Sequence, residues 1–295
     1  MSQTLLVTGA SGQFGRLVLD SLLQSGRVEP GKIVAATRDP CKLADYAARG
    51  VQTRKADFDA PETLDAAFAG VDRALIVSTD AVGEPGKRLS QHEKAVAAAK
   101  RAGVRHILYT SMPSPESSAV LFAPDHLGTE EAIKASGIPY TFLRNGWYAE
   151  NLFMSLPSAL ASGQWYTSSG EGRIAHVTRA DEAAAAASAL ASESDQNAVY
   201  TLTGSEALTT DEIAALVREV TVKPLEVVHV SDEQLAAGMK AAGLPDFLIP
   251  TFVSFDTNTR EGHIAMVTDD VEKLTGRKPV PLKAFLEENR QALAG

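Results

Sequence analysis

Eight residues near the start of the chain have the composition of a phosphate-binding turn: Thr8-Gly9-Ala10-Ser11-Gly12-Gln13-Phe14-Gly15. Between a buried strand and a helix, Gly9 can make the sharp reversal. Gly12 lets the backbone approach a pyrophosphate, and Gly15 lets the helix lie close on the sheet. N–H groups at the helix start, aided by the helix dipole, then hold the anion. The spacing is G-x-x-G-x-x-G, not the commoner G-x-G-x-x-G, and an ordinary Gly-rich turn is the plain alternative. Gly9, Ala10, Ser11, Gly12, Gln13 and Phe14 are therefore the candidate cradle. A second stretch, Arg144 to Asn151 (RNGWYAEN), carries polar and aromatic groups together. Asn145 offers a donor and an acceptor to a carboxamide or a ribose. Trp147 and Tyr148 could wall a pocket and stack on a flat substrate, and Tyr148 could give a proton. Aromatic core packing with a cap by Asn145 is the alternative. A third stretch sets His126 and Glu130 four residues apart on one helix face, where the histidine could supply a proton near neutral pH. A helix-start histidine without a chemical role is the alternative there.

Other chemistries find no anchor. His92, His106, His176, His229 and His263 lack metal-ligand spacing, so no metal is expected. His92 could border a coenzyme, or be a satisfied helix histidine. Ser111 ends a strand, where a hydroxyl could meet a substrate carbonyl. No G-x-S-x-G elbow is present for a hydrolase triad.

The elements that must position these residues follow one rhythm. Leu5–Val7, 32–38, 51–57, 73–79, 104–111 and 140–145 read as strands. Helical stretches at 16–24, 41–49, 61–69, 88–102 and 125–136 lie between them. Apolar strands alternating with helices predict a parallel sheet covered on both faces, an α/β doubly wound Rossmann fold. Ligands in such sheets sit at the carboxyl ends of the strands, here Gly9, Arg38, Asp57, Ser78 to Asp80, Ser111 to Pro113 and Asn145 to Trp147. After Glu150 the rhythm changes. Thr209–Glu212 and Ser231–Gln234 have the form of capping boxes opening helices. Residues 1–150 are thus expected to form the dinucleotide-binding domain, completed by about 179–204. Residues 151–178 and 205–295 are expected to form a smaller, mostly helical substrate lobe.

Bulk properties narrow the setting. The chain has 295 residues, 44% of them hydrophobic and 22% charged, as expected of a globular protein. A net charge of -9 argues against non-specific nucleic-acid binding. One cysteine, Cys41, excludes an internal disulfide framework. No apolar run approaches the roughly 20 residues that span a bilayer. The first strand begins within about four residues of the start, leaving no room for a leader, so a cytoplasmic protein is expected.

The end of the second strand selects the coenzyme. Arg38 can pair with a 2′-phosphate, and Lys42 follows one turn later, so NADPH is expected over NADH. Arg38 is otherwise a solvated strand-end charge, and Asp39 is otherwise a helix cap. Many reductases of this architecture carry Tyr-x-x-x-Lys on the helix after the fifth strand, yet no tyrosine here has a lysine four residues on.

TGASGQFG, the strand-end TRDP, AGVRHILYTS and above all YTFLRNGWYAEN resemble the NmrA-like atypical short-chain dehydrogenase/reductases. The likeness is to the bacterial NADPH:quinone oxidoreductase 2 and triphenylmethane reductase branch, and it runs over nearly the whole chain. That branch is flavin-free and lacks the Tyr/Lys pair. The resemblance implies hydride transfer from NADPH to quinones, triphenylmethane dyes or azo dyes. It implies coenzyme contacts at Gly9 to Phe14, Arg38, Ser78, Thr79, Asp80, Asn145, Gly146, Trp147, Tyr148, Ala149 and Glu150. Asp80 departs from the small hydroxyl residue common there, so it must bond a hydroxyl or turn away. The expected partner is a small flat aromatic or quinoid substrate, with no nucleic acid and no membrane, and a homodimer is left open. Relatives that bind NADP(H) as redox sensors and contact a regulator offer the alternative reading.

Overall fold

A computed structural model describes residues 3–294. Among the described residues nine strands form, β1 Leu5–Val7, β2 Ile33–Thr37, β3 Gln52–Lys55, β4 Arg73–Ile76, β5 His106–Ser111, β6 Tyr140–Asn145, β7 Gln164–Thr167, β8 Ala198–Leu202 and β9 Glu226–His229. Seven of them make one sheet in the order β3-β2-β1-β4-β5-β6-β8, while β7 and β9 pair separately. The pairings from β3 to β6 are parallel, with Leu5 in register with both Ile33 and Arg73. β1, β2, β4 and β5 are buried at every residue, which explains the apolar runs at their centres. The order reverses between β1 and β4, and such a switch point opens a crevice at the strand ends.

The intervening helices are α1 Gln13–Ser25, α2 Ala44–Ala48, α3 Leu64–Phe68, α4 Lys87–Arg101 and α5 Ala123–Ser136. Later ones are α6 Leu156–Ser162, α7 Arg179–Leu190, α8 Thr210–Thr221, α9 Asp232–Ala241 and α10 Ile249–Arg260. The chain finishes with α11 Asp270–Thr275, α12 Leu282–Glu288 and α13 Arg290–Ala294. Asp39 and Pro40 open a 3-10 turn, Pro40–Leu43, so the helix expected over 41–49 is split in two. Both capping boxes form: Thr209 with Glu212, and Ser231 with Gln234.

Contacts divide the chain into two compact units. The first comprises the chain up to Met112 with Asp125–Arg144 and Glu182–Tyr200; the second comprises Pro113–Pro124, Asn145–Asp181 and the chain from Thr201 onward. Where the sequence places the break near 150, the chain changes unit after Arg144, the last residue but one of β6, and Gly146 N–H turns to Leu202 O at 2.8 Å. The first unit has a core of Leu6, Val34, Phe58, Phe68, Ile76, Ile107 and Phe142. Arg73, buried at the start of β4, donates to Ala189 O, Leu190 O and Ser194 O, capping the carbonyl end of α7. The second unit has its own core of Leu152, Leu156, Leu160, Ile213, Val217, Phe285 and Leu286. Among the described residues, no helix is long and apolar enough to cross a membrane.

Candidate active site

In the first unit, β1 runs into the glycine turn. Gly9 takes φ 58°, the left-handed region that a side chain disfavours. Gly12 N–H closes the turn on Gly9 O at 2.9 Å, and Ala10 N–H reaches Ala36 O at 3.0 Å. A Cβ on Gly15 would stand 2.4 Å from Gly9 O and 2.7 Å from Ala10 Cα, so helix and turn touch backbone to backbone. Gly9, Gly12 and Gln13 are exposed, and no side chain caps the start of α1. A helix start without a side-chain cap, behind a glycine cradle, fits a pyrophosphate. Ser11 turns instead to β2, its hydroxyl 2.7 Å from Thr37 Oγ1, and Phe14 and Ala10 pack inward.

At the end of β2, Arg38 is exposed and forms no ion pair among the described residues. Asp39 Oδ1 accepts Cys41 N–H at 3.1 Å, so its carboxylate serves the helix start. An exposed cation beside a carboxylate already occupied has the polarity that a 2′-phosphate requires.

The segment beyond β4 is anchored residue by residue. Val77 N–H donates to Thr8 Oγ1 at 2.9 Å, Ser78 N–H to Thr110 Oγ1 at 2.8 Å, and Thr79 N–H to His92 Nε2 at 3.0 Å. Asp80 is exposed.

The helix after β5 shows what replaces the Tyr/Lys pair. His126 and Glu130 do share a face of α5, but both are spent on buried partners. His126 Nδ1 lies 2.9 Å from Tyr109 Oη. Burial, and then the charge of Arg88, pushes its pKa well below the usual imidazole value. An imidazole held neutral in this way carries a proton on only one of its two ring nitrogens. Glu130, 0% exposed, accepts Ser111 Oγ at 2.7 Å and both Arg144 Nε (3.0 Å) and a terminal guanidinium N–H (2.9 Å). Ser111 and Arg144 are register partners on β5 and β6, so one buried carboxylate staples the two strand ends.

In the second unit, Asn145 is 8% exposed, yet neither its Oδ1 nor its Nδ2 has a hydrogen-bond partner among the described residues. A buried amide with both groups unmet costs free energy unless a ligand meets them. A Cβ on Gly146 would lie 2.6 Å from Leu202 O, which fixes the direction in which the chain leaves β6. Trp147 packs on Phe255 with ring centroids 4.4 Å apart. Phe255 also meets Phe122 at 6.0 Å and Phe252 at 5.6 Å, edge to face. All four rings are partly exposed, so they form an aromatic wall. Tyr148 pairs with Val177 in a parallel bridge, and the Arg179 guanidinium carbon lies 4.5 Å from its ring centroid. Ala149 is buried, its N–H on Val177 O. Both oxygens of Glu150 accept Arg179 N–H, at 3.1 and 3.0 Å, so this carboxylate caps the start of α7.

Sequence reasoning missed Phe122, Phe252 and Phe255. They lie on the 113–124 segment and on α10, whose Ser, Thr and Asn residues mask its helical period. Pro250 at its first turn was the available signal.

Comparison with known proteins agrees with this geometry. The NmrA-like family matches residues 1–286. Quinone oxidoreductase 2 of Escherichia coli K12 is 37% identical over 276 residues, covering 94% of this chain and 95% of that protein. An NAD(P)H azoreductase of Xenophilus azovorans is 32% identical over 284 residues, 96% of each chain. The crystal structure of the E. coli NADPH-dependent quinone oxidoreductase complexed with NADPH superposes with a TM-score of 0.91 at 36% identity, over 99% of this chain and 100% of that one. Citrobacter sp. triphenylmethane reductase complexed with NADP(H) gives 0.89 at 36% identity, over 96% and 99%. The glycine cradle, the strand order and a family match that spans nearly the whole length lead to one conclusion: the chain belongs to the NmrA-like family.

Proposed function

We propose that this protein is a flavin-free, NADPH-dependent reductase of flat conjugated acceptors, quinones or triphenylmethane and azo dyes. NADPH, when bound, supplies the hydride. Gly9 to Phe14 take the pyrophosphate through backbone N–H groups. Arg38 takes the 2′-phosphate. Ser78, Thr79 and Asp80 are assigned to the ribose side, where Asp80 can accept from a hydroxyl. Asn145 and the run from Gly146 to Glu150 are the contacts assigned in the second unit. Within that run Glu150 acts through its cap on α7 and Ala149 through its backbone. The unmet carboxamide of Asn145 is the observation that supports a bound coenzyme.

The observation that carries the choice of substrate is the absence of Tyr/Lys, with His126 and Glu130 both committed to buried partners. A substrate that demands a strong general acid is poorly served by such a site. A quinone or cationic dye accepts hydride readily, so orientation and exclusion of water do most of the work. The wall of Trp147, Phe255, Phe122 and Phe252 suits a flat acceptor. Tyr148, not His126, is the proposed proton donor, and the Arg179 guanidinium over its ring would stabilise the phenolate left behind. The setting we assign is the cytoplasm, with no nucleic-acid or membrane partner, as a monomer or homodimer.

The test is loss of NADPH absorbance in the near ultraviolet with a panel of benzoquinones, naphthoquinones, azo and triphenylmethane dyes. Steady acceptor-dependent oxidation is expected. Tight NADP(H) binding with no turnover on any acceptor would instead establish the sensor alternative.

A further inference from the structure

Thr79 follows the end of β4, at the sheet's switch point, and α4 grips both its N–H and its hydroxyl. Its N–H donates to His92 Nε2 at 3.0 Å. Its hydroxyl donates to Gln91 Oε1 at 2.7 Å, and Gln91 Nε2 donates in turn to Asp59 Oδ2 at 3.0 Å. Two consecutive residues of one helix therefore hold one residue of the loop.

The tautomer of His92 follows from an inventory of protons. Thr129 Oγ1 gives its single proton to Asp125 O at 2.6 Å. At the 2.9 Å contact between Thr129 Oγ1 and His92 Nδ1 the imidazole must then be the donor. Tyr109 Oη approaches the same nitrogen at 3.4 Å and shares that proton weakly. A neutral ring carrying its proton on Nδ1 has a bare Nε2, the acceptor that Thr79 N–H needs. His92 is fully buried, with Arg88 close by, and both favour the neutral ring.

We propose that His92 is a positioning residue for the coenzyme. By accepting Thr79 N–H it sets the backbone of Ser78 to Asp80 in the binding conformation before NADPH arrives. This rests on the assignment of those three residues as coenzyme contacts. Without the acceptor, the Thr79 amide must find water or another carbonyl, and the loop spreads over other conformers. Affinity then drops by the fraction that remains competent, while chemistry at saturation is unchanged.

Two near-isosteres separate positioning from mere packing. His92→Gln sets an amide oxygen close to the place of Nε2 and retains the acceptor. His92→Asn keeps a donor near Nδ1 and loses that acceptor. Calorimetry with NADPH should find the Gln variant within about threefold of wild type and the Asn variant weaker by about tenfold. KM for NADPH should follow the same order, with kcat at saturation within about twofold. An Asn variant that binds as tightly as the Gln variant overturns the proposal. In the wild-type protein without coenzyme, the Thr79 amide should exchange with deuterium at least about a hundredfold more slowly than an open loop amide. Fast exchange there overturns the proposal whether or not either variant folds. If wild type binds no NADPH, the coenzyme reading itself fails and the proposal with it; if wild type binds and the two variants match, only the proposal fails.

Discussion

Mild acid should unfold this protein, and the buried histidines set the scale. His92 is pulled down to about 3 by burial and then by Arg88. His106 is pulled down to about 4 by burial and then by Arg73, with Asp195 opposing. His176 is pulled down to about 4 by burial alone, and His126 lies well below the ordinary value. In the unfolded chain all four titrate near the ordinary imidazole value of about 6.5. Above that value both states are neutral and the histidines add nothing to the pH dependence. Below it the unfolded chain binds protons that the folded chain refuses, so stability falls with pH until the folded-state values are passed. From about pH 7.5 to about pH 5 the loss is about 2 kcal/mol for each of His92, His106 and His176. In the first unit His92 and His106 together lose about 4 kcal/mol, and His126 acts in the same direction, a loss comparable with the roughly 5–15 kcal/mol that holds a typical domain together. Urea unfolding followed by circular dichroism at the two pH values measures it. Carboxylates in ion pairs titrate in the same direction, so His106→Asn and His176→Asn serve to isolate the imidazole share, each removing about 2 kcal/mol of the fall. A loss below about 2 kcal/mol in wild type would refute the reasoning, since it would mean that at most one of these rings stays neutral in the fold.

Three further outcomes follow from single contacts. Gly15→Ala places a methyl 2.4 Å from Gly9 O, so Tm should fall by the equivalent of about 1–3 kcal/mol and NADPH binding should be lost, both read by thermal scans with and without coenzyme. Asn145→Leu should move two measurements in opposite directions: the coenzyme-free protein gains about 1 kcal/mol as the unmet amide disappears, while calorimetry shows weaker NADPH binding. Arg38→Ala should raise KM for NADPH about tenfold and leave that for NADH within about twofold, because only the phosphorylated coenzyme loses a charge-assisted bond.

Local chemistry carries little information about partners distant in the chain. His126 and Glu130 occupy one helical face, as their spacing requires, yet i,i+4 spacing is silent on whether that face meets a pocket or a core. The first meets Tyr109, and the second meets Ser111 and Arg144, all on strands that precede or follow α5. Glu150 reads equally well as a ligand contact and as a cap, and only the arrival of Arg179 N–H decides between them.

Strand periodicity, the glycine turn and the two capping boxes are properties of a few neighbouring residues, and from these the sequence alone determined the α/β order and the glycine turn between β1 and α1. Family membership was legible too, in the RNGWYAEN stretch. Tertiary structure decided the rest: that the chain changes unit after Arg144, that Phe122, Phe252 and Phe255 gather around Trp147, and that Asn145 is buried with its amide unmet. Each of these depends on groups far apart along the chain meeting in a desolvated place, where a polar atom without a partner is costly and a charge survives only when paired.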